Sequence, residues 1–158
     1  MGYDLTPAEQ LAVDAQVADH PYLIPRATAG KISGPALAAK NMRILLKRAY
    51  PAIKFDVRSE MYANGSSVYV SYLGVPDAPD ARDVEALCHR FEPGKFHGQD
   101  DSYETFREPE GIAFRRAFGS VKYVHAQLDS HPESMAKWEA AQLTKAAPRT
   151  TKRASSRL

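Results

Sequence analysis

The segment that most limits what this chain can fold into is residues 33–51. Ser33 stands before Gly34-Pro35, and Pro51 closes the far end. A serine there caps the orphan amides of a first turn, proline fits that turn, and the residue before a later proline resists helical geometry. At 100° per residue, Ala38, Met42, Leu45, Leu46 and Ala49 gather on one face, while Lys40, Arg43 and Lys47 gather on the opposite one. A helix with one apolar stripe must bury it against another layer, so the rest of the chain has to supply that layer.

The next residues do so. Residues 53–62 alternate, with Phe55 and Val57 inward and Lys54, Asp56 and Arg58 outward. Residues 67–73 are rich in β-branched and aromatic side chains (Val68, Tyr69, Val70, Tyr72), as strands are. Asn64-Gly65 between them predicts a tight hairpin turn, because both residues tolerate positive φ. After the break at Pro76–Pro79, Asp80 caps a second helix with Val84, Leu87, Cys88 and Phe91 on one stripe. Residues 92–108 read as a long polar loop carrying Phe96, Tyr103 and Phe106, and a short helical turn is expected near 112–117. Gly119 is read as opening a third strand, 121–126.

The ends are simpler. Thr6, Pro7 and Glu9 form a capping-box start for a helix over 5–19, whose apolar face is mostly alanine and should dock weakly. Residues 20–34 read as a linker anchored by Tyr22, Leu23 and Ile24. Ser130 with Glu133 predicts a cap for a last helix carrying Met135, Trp138 and Leu143. After Pro148 only Ser, Thr, Ala, basic residues and a final Leu remain, too little to build a core.

The expected architecture is therefore α+β: an α-β-β-α-β core with a small antiparallel three-stranded sheet, helices packed on one face, and further helices at both termini. Its divisions are 1–34 (helix and linker), 35–147 (the α+β domain) and 148–158 (a disordered basic tail). At 158 residues and 44% hydrophobic, the chain suits one modest core. No run is apolar enough for a membrane span, residues 1–10 lack a secretory pattern, and Cys88 is the single cysteine. These point to a cytoplasmic protein of the host cell, without an intrachain disulfide and without membrane contact.

Charge is unevenly spread. The net +2 comes from the tail, since residues 145–158 contribute Lys145, Arg149, Lys152, Arg153 and Arg157 with no acid. Residues 1–144 carry 16 bases against 19 acids, which argues against a generally basic nucleic-acid binder. Within that body, residues 26–58 hold eight bases (Arg26, Lys31, Lys40, Arg43, Lys47, Arg48, Lys54, Arg58) against Asp56 alone. This basic ridge is either a contact for phosphates or an acidic protein, or an ordinary solvated face. Residues 76–110 hold ten acids and four bases. So dipolar a body can steer a charged partner or self-associate, and a net −3 is too mild for a mimic of DNA. The tail, Arg149, Lys152, Arg153 and Arg157, is either a weak nucleic-acid arm or a plain solvated end.

Signatures of chemistry are weak. His89, His97, Asp100 and Asp101 lie close in sequence, but their spacing fits no ligand motif, and the acids suit backbone capping in the loop. Ser66, Ser67 and His125 lack the surroundings of a nucleophile, and Gly30–Gly34 lacks the spacing of a phosphate loop. Neither a catalytic residue nor a metal or other cofactor is expected.

A stretch from Asn41 to about Gln127 resembles a known family. The matching pieces are Asn41-Met42-Arg43, Leu45-Leu46-Lys47, Ala49-Tyr50-Pro51 and Lys54-Phe55-Asp56-Val57-Arg58-Ser59. They continue through Gly65-Ser66-Ser67-Val68, Phe91-Glu92, Phe96-His97-Gly98, Asp100-Asp101-Ser102-Tyr103-Glu104 and Lys122-Tyr123-Val124. The family is the large polyvalent protein-associated domain numbered twenty-nine, an accessory module of phages, plasmids and conjugative elements. The resemblance implies a mobile-element origin, with roles in establishment or in countering host defences, and brings no catalytic residues with it. The expectation is a non-enzymatic accessory protein that binds a host or element-encoded protein or nucleoprotein partner, with counter-defence (anti-CRISPR or antirestriction) as its setting. The alternative is a nucleic-acid-binding accessory protein using the ridge and the tail, with Lys40, Arg43, Lys47, Lys54 and Arg58 as its contacts.

Overall fold

The computed structural model describes residues 4–156 except Gly98 and Asp101, with backbone alone from residue 145 onward. Along the chain run α1 (Pro7–Asp19), α2 (Gly34–Ala49), β1 (Phe55–Tyr62), β2 (Gly65–Leu73) and α3 (Ala81–Cys88). They are followed by β3 (Gly94–His97), β4 (Ser102–Thr105), α4 (Pro109–Phe118), β5 (Tyr123–Asp129) and α5 (Pro132–Ser156). The class is α+β.

Helix α2 begins where the sequence says, with the Ser33 side chain accepting from the Ala36 amide at 3.2 Å. Its stripe of Ala38, Met42, Leu45 and Leu46 is buried, while Ala49 at the end of the helix is exposed. The stripe packs with Val57, Val68, Val70 and Tyr72 of the sheet and with Val84, Cys88 and Phe91. Phe55 and Leu87, expected inside, are partly buried at the margin of that core.

The sheet order is β1-β2-β5. β1 and β2 are antiparallel, with Val57 opposite Val70, but β5 runs parallel to β2, with Val68 opposite Val124. The sheet is thus mixed, which corrects the expected antiparallel arrangement. The cause is the connection: α3 and α4 both lie between β2 and β5 and carry the chain back to the end where β2 began, as a crossover must.

The polar segment 92–108 is also more ordered than a loop. It forms a second, two-stranded antiparallel sheet of β3 and β4, with Phe96 opposite Tyr103. The β1–β2 turn is Ala63-Asn64, one residue earlier than expected, because Tyr62 already pairs with Gly65. Gly119 does not open a strand. It ends α4 at φ 102°, a conformation open to glycine, and the third strand begins only at Tyr123.

The linker 20–34 is part of the body. Leu23 is buried, and Asn41, itself buried in α2, accepts from the Ile24 amide and donates to the Ile24 and Phe118 carbonyls. Arg48 lies 3.9 Å over the Tyr22 ring. Helix α1 has the predicted capping box, buries no residue fully, and rests on α4 with an ion pair between Glu9 and Arg116 at 2.6 Å.

The last helix starts one residue later than expected. His131 Nδ1, not Ser130, accepts from the Glu133 amide. It runs through Ser156, so the backbone is helical over 148–156 of the segment read as a disordered tail. The side chains of Arg149, Lys152 and Arg153, and all of Arg157, lie outside the described residues. No described helix is long and apolar enough to cross a membrane.

Candidate binding surface

The members of the basic ridge differ in what they touch. Lys40, Arg43 and Lys47 lie on the exposed side of α2, and Arg43 reaches the free edge of β1. The Arg43 guanidinium donates to the Val57 carbonyl, which β1 directs away from β2. Arg58 on β1 is paired with Asp56 at 2.9 Å. Lys40, Lys47 and Lys54 make no ion pair among the described residues. Arg43, Lys47 and Lys54 border one hollow of about 360 Å³, floored by Pro51, Ala52, Ile53 and Phe55. Three cations around an apolar floor suit an anionic group carried on an apolar or planar body.

Around the edge of β1 from this hollow lies the sheet face turned away from α2. Strand alternation places Asp56, Arg58 and Glu60 there from β1, Tyr69 and Ser71 from β2, and Tyr123, His125 and Gln127 from β5, and Lys54, just before β1, lies beside Asp56 and Ser71. Tyr69 and His125 are direct cross-strand partners and stack at 5.3 Å with planes 21° apart. Tyr123 continues the array, 6.3 Å from His125 and 26° from its plane. Lys122 sits over Tyr123 and Tyr103 at 5.5 and 5.2 Å. Gly65, at the start of β2, lies against this lysine, and a Cβ there would stand 3.0 Å from its chain.

The sequence marked Tyr69 only as one of the aromatic residues of a strand. That it would meet His125 could not be read without the parallel register. At the other end of this face, Trp138 of α5 closes a groove of about 520 Å³ with Phe55, Leu73 and Asp129.

The groups weighed for chemistry have local partners. Burial pushes the Cys88 thiol up to about 12, keeping it a neutral core residue. His89 meets Glu92 at 3.1 Å and the Phe106 ring, and His97 meets Glu104 at 3.0 Å. Asp100 accepts from the Ser102 amide and hydroxyl, and these bonds hold its carboxyl below the usual range. Asp101 lies outside the described residues; among those described, no three His, Cys, Asp or Glu gather as a metal site would require. Ser66 accepts from the Lys122 amide, and Ser67 bonds Tyr62 at 2.7 Å. The Tyr103 hydroxyl is buried without a partner, and burial raises its pKa.

A mixed three-stranded sheet, covered by helices on one face and open on the other with cations along one edge, defines a small α+β domain built around a surface. The chain belongs to the family described as Large polyvalent protein associated domain 29, which matches residues 33–131. That span takes in α2 through β5, the scaffold of both the ridge and the open face. No curated protein and no solved structure matches the chain.

Proposed function

We propose that this protein is a non-catalytic accessory module of a mobile element, phage or plasmid, that docks an anionic protein or nucleoprotein partner in the host cytoplasm. The observation that carries this reading is the convergence of Arg43, Lys47 and Lys54 on one hollow, with Lys40 extending the row along α2. Cations clustered on a rigid helix and strand raise the local concentration of an acidic partner and speed its encounter. A binding role is favoured over a catalytic one because Ser66, Ser67, His89 and His97 are engaged locally and Cys88 is buried as a neutral thiol. Membership of a family that accompanies large polyvalent proteins supports the mobile-element setting, and counter-defence is the use we assign to it.

The test is a triple charge reversal, Lys40→Glu, Lys47→Glu and Lys54→Glu, with Arg43 kept for its bond to Val57. Partners cross-linked in cells carrying the element should be lost from the variant while its melting temperature is retained. A variant that keeps every partner sinks the reading. For the setting, the wild type should raise phage or plasmid establishment in a host with active restriction or CRISPR immunity. Equal establishment with and without the protein removes counter-defence.

A further inference from the structure

We infer that the open face of the β1-β2-β5 sheet binds single-stranded nucleic acid by stacking unpaired bases on the Tyr69–His125–Tyr123 array. This rests on the anionic-partner reading above and names the partner's chemistry. Two independent features meet on this face. The first is the array: three rings on adjacent strands, their planes within 26° of their neighbours, ending at Tyr69, which is 42% exposed. Such rings serve single strands, because a base inside a duplex has both π-faces covered by its neighbours, while an unpaired base offers them freely.

The second is charge. Arg58 lies directly across from Tyr69 in the β1–β2 register, and Lys122 sits beside Tyr123. Lys54 belongs both to this face and to the hollow with Arg43 and Lys47, so a positive track leads from the rings around the edge of β1 to the ridge. Asp56 and Glu60 lie on the same strand, and Asp56 is engaged by Arg58. A strand whose bases sit on the rings can therefore carry its phosphates along that track. Aromatic rings with arginine also suit protein hot spots. Cations that recur from Arg58 through Lys54 to Arg43 and Lys47, with only Asp56 and Glu60 among them, favour a polyanion instead.

The experiment measures anisotropy of a labelled oligonucleotide of about 12 nucleotides, an abasic strand of the same length, and a duplex, each at low and moderate salt. The expected result is salt-sensitive binding of the single strand, with the abasic strand and the duplex at least tenfold weaker. Tyr69→Ala should lower single-strand affinity roughly tenfold to a hundredfold at unchanged melting temperature, while Tyr69→Phe, which keeps the ring, restores it. If intact, abasic and duplex probes bind alike and Tyr69→Ala changes nothing, stacking is overturned while the anionic-partner reading stands. If no probe binds even at low salt, the nucleic-acid inference is overturned, and the charge-reversal test alone decides whether a protein docks at the ridge.

Discussion

The side-chain amide of Asn41 closes a two-bond ring with the backbone of Ile24, accepting from its amide at 2.7 Å and donating to its carbonyl at 2.9 Å. The second amide hydrogen reaches the Phe118 carbonyl at 2.9 Å. One fully buried polar side chain thus ties the linker before α2 and the end of α4 to the centre of the fold, with its donors and one acceptor lone pair in use.

Asn41→Leu keeps the volume but leaves two carbonyls and an amide without partners, and such groups cost about 1–3 kcal/mol each when they cannot reach water. A loss of about 2–4 kcal/mol is expected in urea unfolding. Asn41→Asp should be at least as damaging at pH 7, because it sets a carboxylate against two carbonyls. A change below about 0.5 kcal/mol for both would show that the linker is not held there.

Gly119 makes a similar case by sterics. Its φ is 102°, and a Cβ at this position would stand 2.5 Å from the Ala38 nitrogen and 2.7 Å from the Gly34 oxygen. The first turn of α2 therefore touches the backbone of the α4 terminus with no room for a methyl group. Gly119→Ala combines backbone strain with a clash that only movement of α2 relieves, so a loss of about 3 kcal/mol or more is expected. Gly30, also at positive φ, has open space around it, and Gly30→Ala should show the strain alone.

Much of this fold is legible in the sequence because local signals and burial agree. Ser33, Pro35 and the Met42–Leu45–Leu46 stripe define α2; Thr6 and Glu9 define the start of α1; and Val57, Val68 and Val70 declare the inner face of the sheet. What fails is what depends on partners far along the chain. Alternation in 121–126 predicts a strand but not its direction, which the α3–α4 crossover sets. The hairpin of β3 and β4 is hidden because its residues are polar and half-exposed, so hydrophobic period gives no sign of it. The candidate surface divides the same way. The cations of α2 follow from helical period, whereas the meeting of Tyr69 with His125, and the engagement of Arg43 by Val57, require the assembled sheet.

The attachment of α1 should depend on pH. Bonding to the Thr6 amide and hydroxyl, and then to Arg116, holds the Glu9 carboxyl below its ordinary value of 4.5. A carboxyl lowered in the folded state contributes stability that is complete above the unfolded value and fades as pH falls through the folded one. Protection of the α1 amides, measured against the intrinsic exchange rate at each pH, should therefore fall below about pH 4.5 before that of the sheet does. Glu9→Gln can keep the bond to the Thr6 amide while losing the charge, so its α1 should lack that acid-dependent step. An α1 whose protection, relative to the intrinsic exchange rate at each pH, is the same at pH 7 and pH 3 in the wild type would remove this role from Glu9.

Arg43 and its neighbours on α2 should separate stability from binding. Arg43 bonds the Val57 carbonyl on the free edge of β1, so it both satisfies a backbone acceptor and blocks that edge from pairing with another strand. Arg43→Leu should lower stability by about 1–2 kcal/mol, the cost of one charge-assisted bond to a partly buried carbonyl. Lys40 and Lys47, one turn away on either side, hold no such bond. Lys40→Gln and Lys47→Gln should each change stability by less than about 0.5 kcal/mol. Their effect belongs to binding, where each removes one cation from the track and flattens the salt dependence of affinity for a polyanion by about one unit of slope. Thermal unfolding and binding at two salt concentrations, run on the same three variants, read both quantities. Should Lys47→Gln destabilise the fold as much as Arg43→Leu, the ridge would be a structural brace, and its charges would need no partner to explain them.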